Sequence, residues 1–206
     1  SPQASIRFFE QLSVDSPNNE NKYAYLMALQ ATGNSKKALV IVNELLGRYP
    51  KNLILNITKA EIYLLDQKLE KARLQIEAVL KISPGNYPAS IIKSNILSAQ
   101  NKTIQAEEIV RDLLITKNND PHLWMILSEI QRSGKNILGY HLSRGEYYLL
   151  LGDLENALNQ FQFALRISGS SFQTSETIMT KIKYQNVRAT DFHLNLEMSQ
   201  GVLGFW

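Results

Sequence analysis

Residues 31–52 read ATGNSKKALVIVNELLGRYPKN, and this stretch decides the fold because it recurs. The same pattern returns in two further stretches, LDQKLEKARLQIEAVLKISPGN at 65–86 and AQNKTIQAEEIVRDLLITKNND at 99–120. The alanine of each copy follows the previous one by 34 residues, at Ala38, Ala72 and Ala106. A fixed internal period of this length is typical of arrays of two-helix units. The sequence therefore predicts an all-α protein built from repeated helical hairpins.

The residue types at the repeated positions have a packing role. A small alanine lets two helices approach closely, and large aliphatic residues fill the space around it. Pro50 and Pro84 are also 34 apart, and proline ends a helix because it lacks an N–H. Gly33 and Gly152 stand where the turn between two helices needs a positive φ. These residues are expected to hold the fold together rather than to do chemistry.

A fourth copy of the pattern is displaced by half a period. It reads YYLLLGDLENALNQFQFALRIS at 147–168, with its alanine at Ala157. The step from Ala106 to Ala157 is 51 residues, which is 34 + 17, or one and a half repeats. We therefore predict that a helix over about 138–151 serves twice, as second helix to 121–133 and as first helix to 154–167.

This 34-residue two-helix unit resembles the tetratricopeptide repeat (TPR), which implies a right-handed superhelix of paired helices. An N-terminal helix is expected within 1–15 and the repeat domain over 19–189. The expected subdivisions are repeats at 19–52, 53–86 and 87–120, a half-repeat at 121–137, a repeat at 138–171 and a capping helix at 174–189. The tail 190–206 has alternating apolar residues, which indicates a strand or a frayed end.

Composition excludes several classes of protein. The 206 residues carry 22 Lys+Arg against 19 Asp+Glu, a formal charge of +3, which is too small for an electrostatic footprint on nucleic acid. The absence of cysteine excludes disulfides and thiolate metal sites and fits either a periplasmic or a cytosolic protein. No apolar run approaches the roughly 20 residues that span a bilayer, and the N-terminus lacks signal-peptide character.

No residue pattern proposes a reaction. The three histidines, His122, His141 and His193, have no ligand spacing on one helix, and there is no Gly-rich phosphate loop. We therefore expect no catalytic, cofactor-binding or metal-binding residue in this chain, and we expect the chain itself not to be an enzyme.

The first helices of such hairpins line a concave groove, which predicts a binding surface for an extended or partly folded polypeptide. Apolar anchors and scattered polar groups occupy the inward positions. The predicted lining is Tyr23, Met27, Gln30, Ile57, Glu61, Ile91, Asn95, His122, Met125, Glu129, Arg132, Leu142 and Glu146. Some TPR domains grip a C-terminal carboxylate with Lys and Asn on successive first helices, but the lysine is missing here beside Asn95.

Three stretches resemble the C-terminal TPR region of the periplasmic zinc metalloprotease/chaperone family that includes the β-barrel assembly-enhancing protease. SPQASIRFFEQL resembles the helix that ends the peptidase domain of that family. NKYAYLMALQATGN resembles its first repeat, and YHLSRGEYYLLLGDLENALNQFQFALRIS with TKIKYQNVRA resembles its last repeat and closing helix. The zinc motif of the family is absent, so no catalytic residue is transferred.

The resemblance implies a periplasmic module that contacts the outer-membrane assembly machinery and its clients, with zinc only in a peptidase domain outside this chain. A cytoplasmic location stays open. The alternatives are a fragment known as a metallopeptidase through its parent, a generic TPR scaffold with another partner, and an RNA-binding hairpin array. The expected partners are proteins or peptides, without nucleic acid or membrane insertion, and the tail 190–206 could mediate self-association.

Overall fold

The computed structural model describes residues 2–169 and 175–183. Within them the chain is helical and contains no strand. Ten helices are complete: α1 Pro2–Asp15, α2 Asn19–Ala31, α3 Ser35–Arg48, α4 Leu53–Leu65, α5 Leu69–Ile82, α6 Tyr87–Ala99, α7 Thr103–Thr116, α8 Pro121–Ser133, α9 Ile137–Leu150 and α10 Leu154–Ile167. Residues 175–183 form a further helical segment.

The turn inside each hairpin has the same backbone conformation. Three residues join the two helices, and the middle one has a positive φ. These middle residues are Gly33, Gln67, Asn101, Lys135 and Gly152, with φ between 56° and 77°. The backbone N–H of the third turn residue donates a hydrogen bond to a carbonyl in the last turn of the preceding helix. In the second hairpin, for example, Lys68 donates to the carbonyl of Tyr63 at 2.8 Å. The left-handed turn thus follows the 34-residue period even where the residue is not glycine.

A side-chain oxygen caps the N-terminus of most first helices of the hairpins. Asn52 and Asn86 each accept a hydrogen bond from the backbone N–H three residues later, at 3.0 and 3.1 Å. Asn18 caps α2 in the same way, at 2.7 Å, and Asp120 caps α8 through the N–H of His122. Each cap satisfies one of the free N–H groups of a helix start, which stabilises the helix by about 1 kcal/mol.

The chain divides into two compact units, Ser1–Ile109 and Val110–Trp206. In the first unit, α1 packs on α2, α2 on α3, α3 on α4, α4 on α5 and α5 on α6. Its core places Ala38 and Ala72 at 0% exposure, surrounded by aliphatic residues such as Leu26 and Ile76. The repeated alanines therefore occupy the packing role that the period predicted.

In the second unit α9 packs about equally against α8 and α10. The expected double use of the 138–151 helix is therefore present in the structure. Gly145 in α9 makes this close packing possible, because a Cβ there would lie 2.4 Å from the ring of Phe161 in α10. Phe161 is completely buried, together with Ala157 and Ala164.

The segment 175–183 belongs to the core of the second unit. Its Ile178 is 1% exposed and packs in the cluster of Phe161. Lys181 forms an ion pair with Glu146 of α9, and the hydroxyls of Ser168 and Ser175 are hydrogen-bonded at 2.9 Å. The remaining part of the predicted capping helix 174–189 and the tail 190–206 lie outside the described residues.

Candidate functional site

An apolar pocket lies in the first unit, where α2 and α4 begin and α3 ends. It encloses about 320 Å³. The nearly buried Leu45 and Leu55 belong to its lining, and the more exposed Tyr49 and Ile54 complete its apolar part together with Tyr23. Asn19, Glu20 and Asn52 supply its polar part. A pocket with an apolar lining and a few polar groups suits a single aliphatic or aromatic side chain of a ligand.

Hydrogen bonds fix the polar edge of this pocket. The side-chain amide of Asn19 donates to the hydroxyl of Tyr49 at 2.8 Å. The guanidinium of Arg48 donates to the side-chain oxygen of Asn19 at 3.1 Å. Asn52 is held by its capping bond to the N–H of Leu55. The wall that Tyr49 forms is therefore positioned by α2 as well as by α3.

Charges close to this edge are paired. Lys22 of α2 forms an ion pair with Glu44 of α3, and Arg48 lies 3.6 Å from the same carboxylate. The hydrogen bond from Lys22, with the charges of Lys22 and Arg48, lowers the pKa of Glu44 below its ordinary value. The carboxylate therefore stays ionised and ties α2 to α3 beside the pocket.

Two predicted groove residues of the first unit bond to each other. The side-chain amide of Gln30 in α2 donates to the carboxylate of Glu61 in α4 at 2.6 Å. The side-chain oxygen of Gln30 is buried and has no hydrogen-bond partner among the described residues. This bond joins the first helices of two successive hairpins, so the two residues have a positioning role on that face.

The other predicted groove residues of this unit divide into two groups. Tyr23 lines the pocket, Met27 is 41% exposed and Asn95 is half-buried. Ile57 and Ile91, in contrast, are only 7% and 8% exposed. Ile57 belongs to the core around Ala60 and Ile76, so its side chain also has a packing role inside the unit.

A wider cleft of about 450 Å³ lies within the second unit. Helices α8 and α9 and the segment 175–183 provide most of its lining. The lining residues are Arg111, Trp124, Gln131, Gly139, Leu142, Ser143, Glu146, Thr177, Ile178 and Lys181. The cleft therefore offers apolar surface together with charges of both signs, which suits a polypeptide segment more than a purely apolar ligand.

The walls of the cleft are held by internal contacts. The indole N–H of Trp124 donates to the backbone carbonyl of Asn118 at 2.7 Å. The hydroxyl of Ser143 in α9 donates to the side-chain oxygen of the buried Gln131 in α8 at 2.7 Å. The ion pair between Glu146 and Lys181 connects α9 with the segment 175–183. The cleft is thus largely formed before any ligand binds.

Two of the six groove residues predicted in this unit, Leu142 and Glu146, line the cleft. Glu129 and Arg132 form an ion pair at 2.5 Å on the surface of α8. The remaining two are the exposed His122, at the start of α8, and the half-buried Met125.

The sequence did not single out several lining residues. Tyr49 and Ile54 follow or begin a helix, and no periodic pattern distinguishes a pocket edge from an ordinary surface position. Ile178 and Lys181 line the cleft because a helix after the last hairpin packs back onto the unit. The sequence showed the amphipathic pattern of this helix, but it did not show which helices it packs on.

The described part of the chain contains no cluster of three His, Cys, Asp or Glu side chains that could hold a metal ion. None of the helices that the structure describes has the length and hydropathy needed to cross a bilayer.

No protein-family model and no curated protein sequence matches the chain. Solved structures do match it. A tetratricopeptide repeat protein from Parabacteroides merdae is 16% identical over 89% of this chain and 77% of its own, with a TM-score of 0.58. The TPR protein TTC0263 from Thermus thermophilus is 18% identical over 87% of this chain and 89% of its own, with a TM-score of 0.55.

A third match is a chain of the Cut9–Hcn1 hetero-tetramer of the APC/C. It is 17% identical over 96% of this chain but only 42% of its own length, with a TM-score of 0.51. Identities this low establish the fold alone. The predicted all-α, TPR-type fold class is therefore confirmed.

Proposed function

We propose that this chain is a non-catalytic protein-interaction module that binds a polypeptide through the concave positions of its first helices, without a cofactor. The apolar pocket of the first unit is the observation that carries the proposal. Its lining by Tyr23, Tyr49 and Ile54 offers aromatic and aliphatic surface to an anchor side chain, and such anchors dominate the affinity of polypeptide recognition. The Cut9–Hcn1 match supports the proposal, since that fold relative stands in an assembly of proteins.

The exposure of the pocket residues fits this role. Ile54 is 62% exposed and Tyr49 46% exposed, so both retain apolar surface that a ligand can cover. Covering such surface contributes roughly 25 cal/mol per Å² to binding. The charges of Glu44, Lys22 and Arg48 beside the pocket are already paired with one another, and the carboxylate of Glu20 lies in the polar part of the lining.

Binding to an unfolded polypeptide tests the proposal. Reduced and carboxymethylated α-lactalbumin, labelled with a fluorophore, is titrated with the chain and its anisotropy is followed. We expect saturable binding that Ile54→Asp weakens by about tenfold, because a carboxylate enters the apolar pocket.

Val40→Asp is the matched control. Val40 is 65% exposed, almost the same as Ile54, but lies on α3 outside the pocket. The control is expected to bind like the unchanged chain. If both substitutions weaken binding equally, or if neither chain nor variant binds, the pocket is not the recognition site.

We further propose that the module acts in the periplasm, as part of a protease/chaperone that assists outer-membrane protein assembly. The resemblance of three sequence stretches supports this finer assignment. An array of 15-residue peptides tiled along an outer-membrane β-barrel protein tests it, with peptides of a cytosolic protein of equal composition as control. Preference for the barrel peptides that is lost in Ile54→Asp supports the assignment, and equal binding to both arrays contradicts it.

A further inference from the structure

The apolar pocket of the first unit has a carboxylate at its edge. Glu20 is the one charged side chain among the described residues that line the pocket. It lies exposed in the first turn of α2 and forms no ion pair with any described residue. The cations Lys22 and Arg48 beside this edge both lie against the carboxylate of Glu44. The charge of Glu20 is therefore not balanced within the described part of the chain.

The next junction of the array shows which parts of the pocket the fold requires. Helices α4, α5 and α6 begin 34 residues after α2, α3 and α4, so each lining residue has an equivalent. The floor is apolar and buried in both copies, because Leu45 and its equivalent Val79 are both 2% exposed. At the edge, in contrast, Glu20 corresponds to Ile54 and, one repeat further on, to Pro88. The carboxylate is therefore not a requirement of the repeat.

A ligand that fills the pocket also covers part of this carboxylate. Removing water from a charged group is unfavourable unless an opposite charge or hydrogen-bond donors replace the water. The side-chain amide of Asn19, which precedes Glu20 in α2, already donates to the hydroxyl of Tyr49 at 2.8 Å. A cation on the ligand therefore compensates Glu20 best.

We infer that the pocket selects a polypeptide segment in which a lysine or arginine stands next to a large apolar side chain. The inference rests on the function proposed for this pocket and specifies the ligand that the pocket takes. The apolar side chain packs on Leu45, Leu55 and Tyr23, and the basic residue pairs with Glu20 at the edge.

The dimensions of a polypeptide fit this arrangement. Neighbouring Cα atoms are about 3.8 Å apart, so a residue beside the apolar anchor starts close to the pocket edge. The long stem of lysine or arginine lies along apolar surface while its charged end stays at the rim. Such a charge pair discriminates between ligands more than it adds to affinity. Glu20 is therefore a specificity-determining residue, and the apolar floor supplies the attraction.

Three labelled peptides test the charge preference. Each is a short unstructured Gly/Ser peptide with a central phenylalanine, and the two residues beside this phenylalanine are lysine, glutamine or glutamate. Fluorescence anisotropy follows their titration with the full chain at low ionic strength. We expect the lysine peptide to bind about fivefold more tightly than the glutamine peptide, and the glutamate peptide to bind most weakly. High salt should reduce these differences, because it screens exposed charges.

Substitutions of Glu20 identify the source of the preference. Glu20→Gln should bind the three peptides about equally, and Glu20→Lys should prefer the glutamate peptide. Glu155→Gln is the matched control, because Glu155 is also the second residue of its helix, α10, and is exposed but lies outside the pocket. It likewise removes a negative charge from a helix N-terminus, so it reproduces any effect of that loss on the helix. The control should keep the preference of the unchanged chain.

The glutamine peptide separates this inference from the proposed function. It is uncharged beside the anchor, so its binding reports the apolar pocket alone, and Ile54→Asp is expected to weaken it. If Ile54→Asp weakens it but the three peptides bind the unchanged chain equally, the proposed function stands and the preference for a basic neighbour is wrong. A preference that persists in Glu20→Gln, or that Glu155→Gln also abolishes, overturns the inference as well. Absence of binding by all three peptides contradicts both proposals.

Discussion

Gly145 is the residue on which the packing of α9 against α10 depends most directly. A Cβ at this position would come within 2.4 to 2.8 Å of three ring atoms of Phe161, whose side chain is completely buried. Such contacts force the ring or the helix to move, and overpacking in a core costs about 1–3 kcal/mol.

Gly145→Ala is therefore expected to lower the free energy of unfolding by about 1–3 kcal/mol. The measurement is urea denaturation followed by circular dichroism. Gly47→Ala is the matched control, because Gly47 is also within a helix but, apart from that helix's own backbone, no atom of the described residues lies within 4 Å of an added Cβ. The control is expected to raise stability by about 0.5–1 kcal/mol through helix propensity. A stabilising Gly145→Ala would contradict the close packing described here.

Glu10 makes the attachment of α1 dependent on pH. The hydrogen bonds from Tyr25 and Lys37 lower the pKa of Glu10 below its ordinary value of 4.5. A carboxyl whose pKa is lower in the folded state stabilises the fold above 4.5, and this contribution is lost as the pH falls through the folded-state pKa.

We expect Glu10→Gln to lower stability at pH 7 and to reduce the loss of stability between pH 4.5 and more acidic solution. Chemical denaturation at a series of pH values measures both effects. Tyr25→Phe removes the hydroxyl donor and is expected to reduce the same slope partly, because the Lys37 bond remains. An unchanged slope in Glu10→Gln would show that this carboxyl does not control the acid response.

At the scale of elements, the turns show how far the sequence predicts the fold. The spacing of Ala38, Ala72 and Ala106 was sufficient to predict the helical hairpins, because small residues at a fixed period leave few other packings. Positive φ was expected only at glycines, yet Gln67 and Lys135 adopt it too. Their turns are imposed by the helices on both sides, and no local sequence signal reports that.

The groove prediction was limited for a related reason. Tyr23 and Ile57 occupy similar positions on successive first helices, but Tyr23 lines a pocket and Ile57 is 7% exposed in the core. Periodicity identifies the helix face on which a residue lies. It does not measure how closely the neighbouring helix covers that face, which depends on side-chain sizes in both helices.

The positive φ of Gln67 leads to a prediction about the turn. A non-glycine residue in this conformation is strained by roughly 1 kcal/mol, because its Cβ approaches the following carbonyl. Gln67→Gly is therefore expected to stabilise the protein by about that amount in thermal or chemical denaturation. Asn101→Gly should gain less, since asparagine tolerates this conformation better.

Lys68→Gly provides the control for that prediction. Lys68 is the next residue of the same turn but has φ −87°, so glycine relieves no strain there. This variant is expected to show no gain in stability. A comparable gain in both variants would indicate a general effect of glycine in the turn rather than relief at Gln67.

At the scale of the whole molecule, the order of helix contacts determines how far a perturbation spreads. Each helix of a repeat array packs mainly on its neighbours in sequence, so the stability of such arrays is approximately a sum of local terms. The chain also divides into two compact units, each with its own core cluster.

We therefore expect Gly145→Ala to act mainly within the second unit. Amide hydrogen exchange followed by mass spectrometry should show faster exchange in α8, α9 and α10, with little change in α2 to α5. Glu10→Gln should give the opposite distribution, with its largest effect in α1 and α2. Uniform acceleration throughout the chain in either variant would show that the two units unfold as one cooperative body.

The placement of Trp124 also determines what tryptophan fluorescence can report about the molecule. The sequence contains two tryptophans, Trp124 and Trp206, and neither belongs to the first unit. With Trp206→Phe, indole emission comes from a single fluorophore in the lining of the 450 Å³ cleft. The wavelength of its emission maximum then reports whether water or a bound chain surrounds Trp124. Binding in the pocket beside Tyr23 does not shift this wavelength.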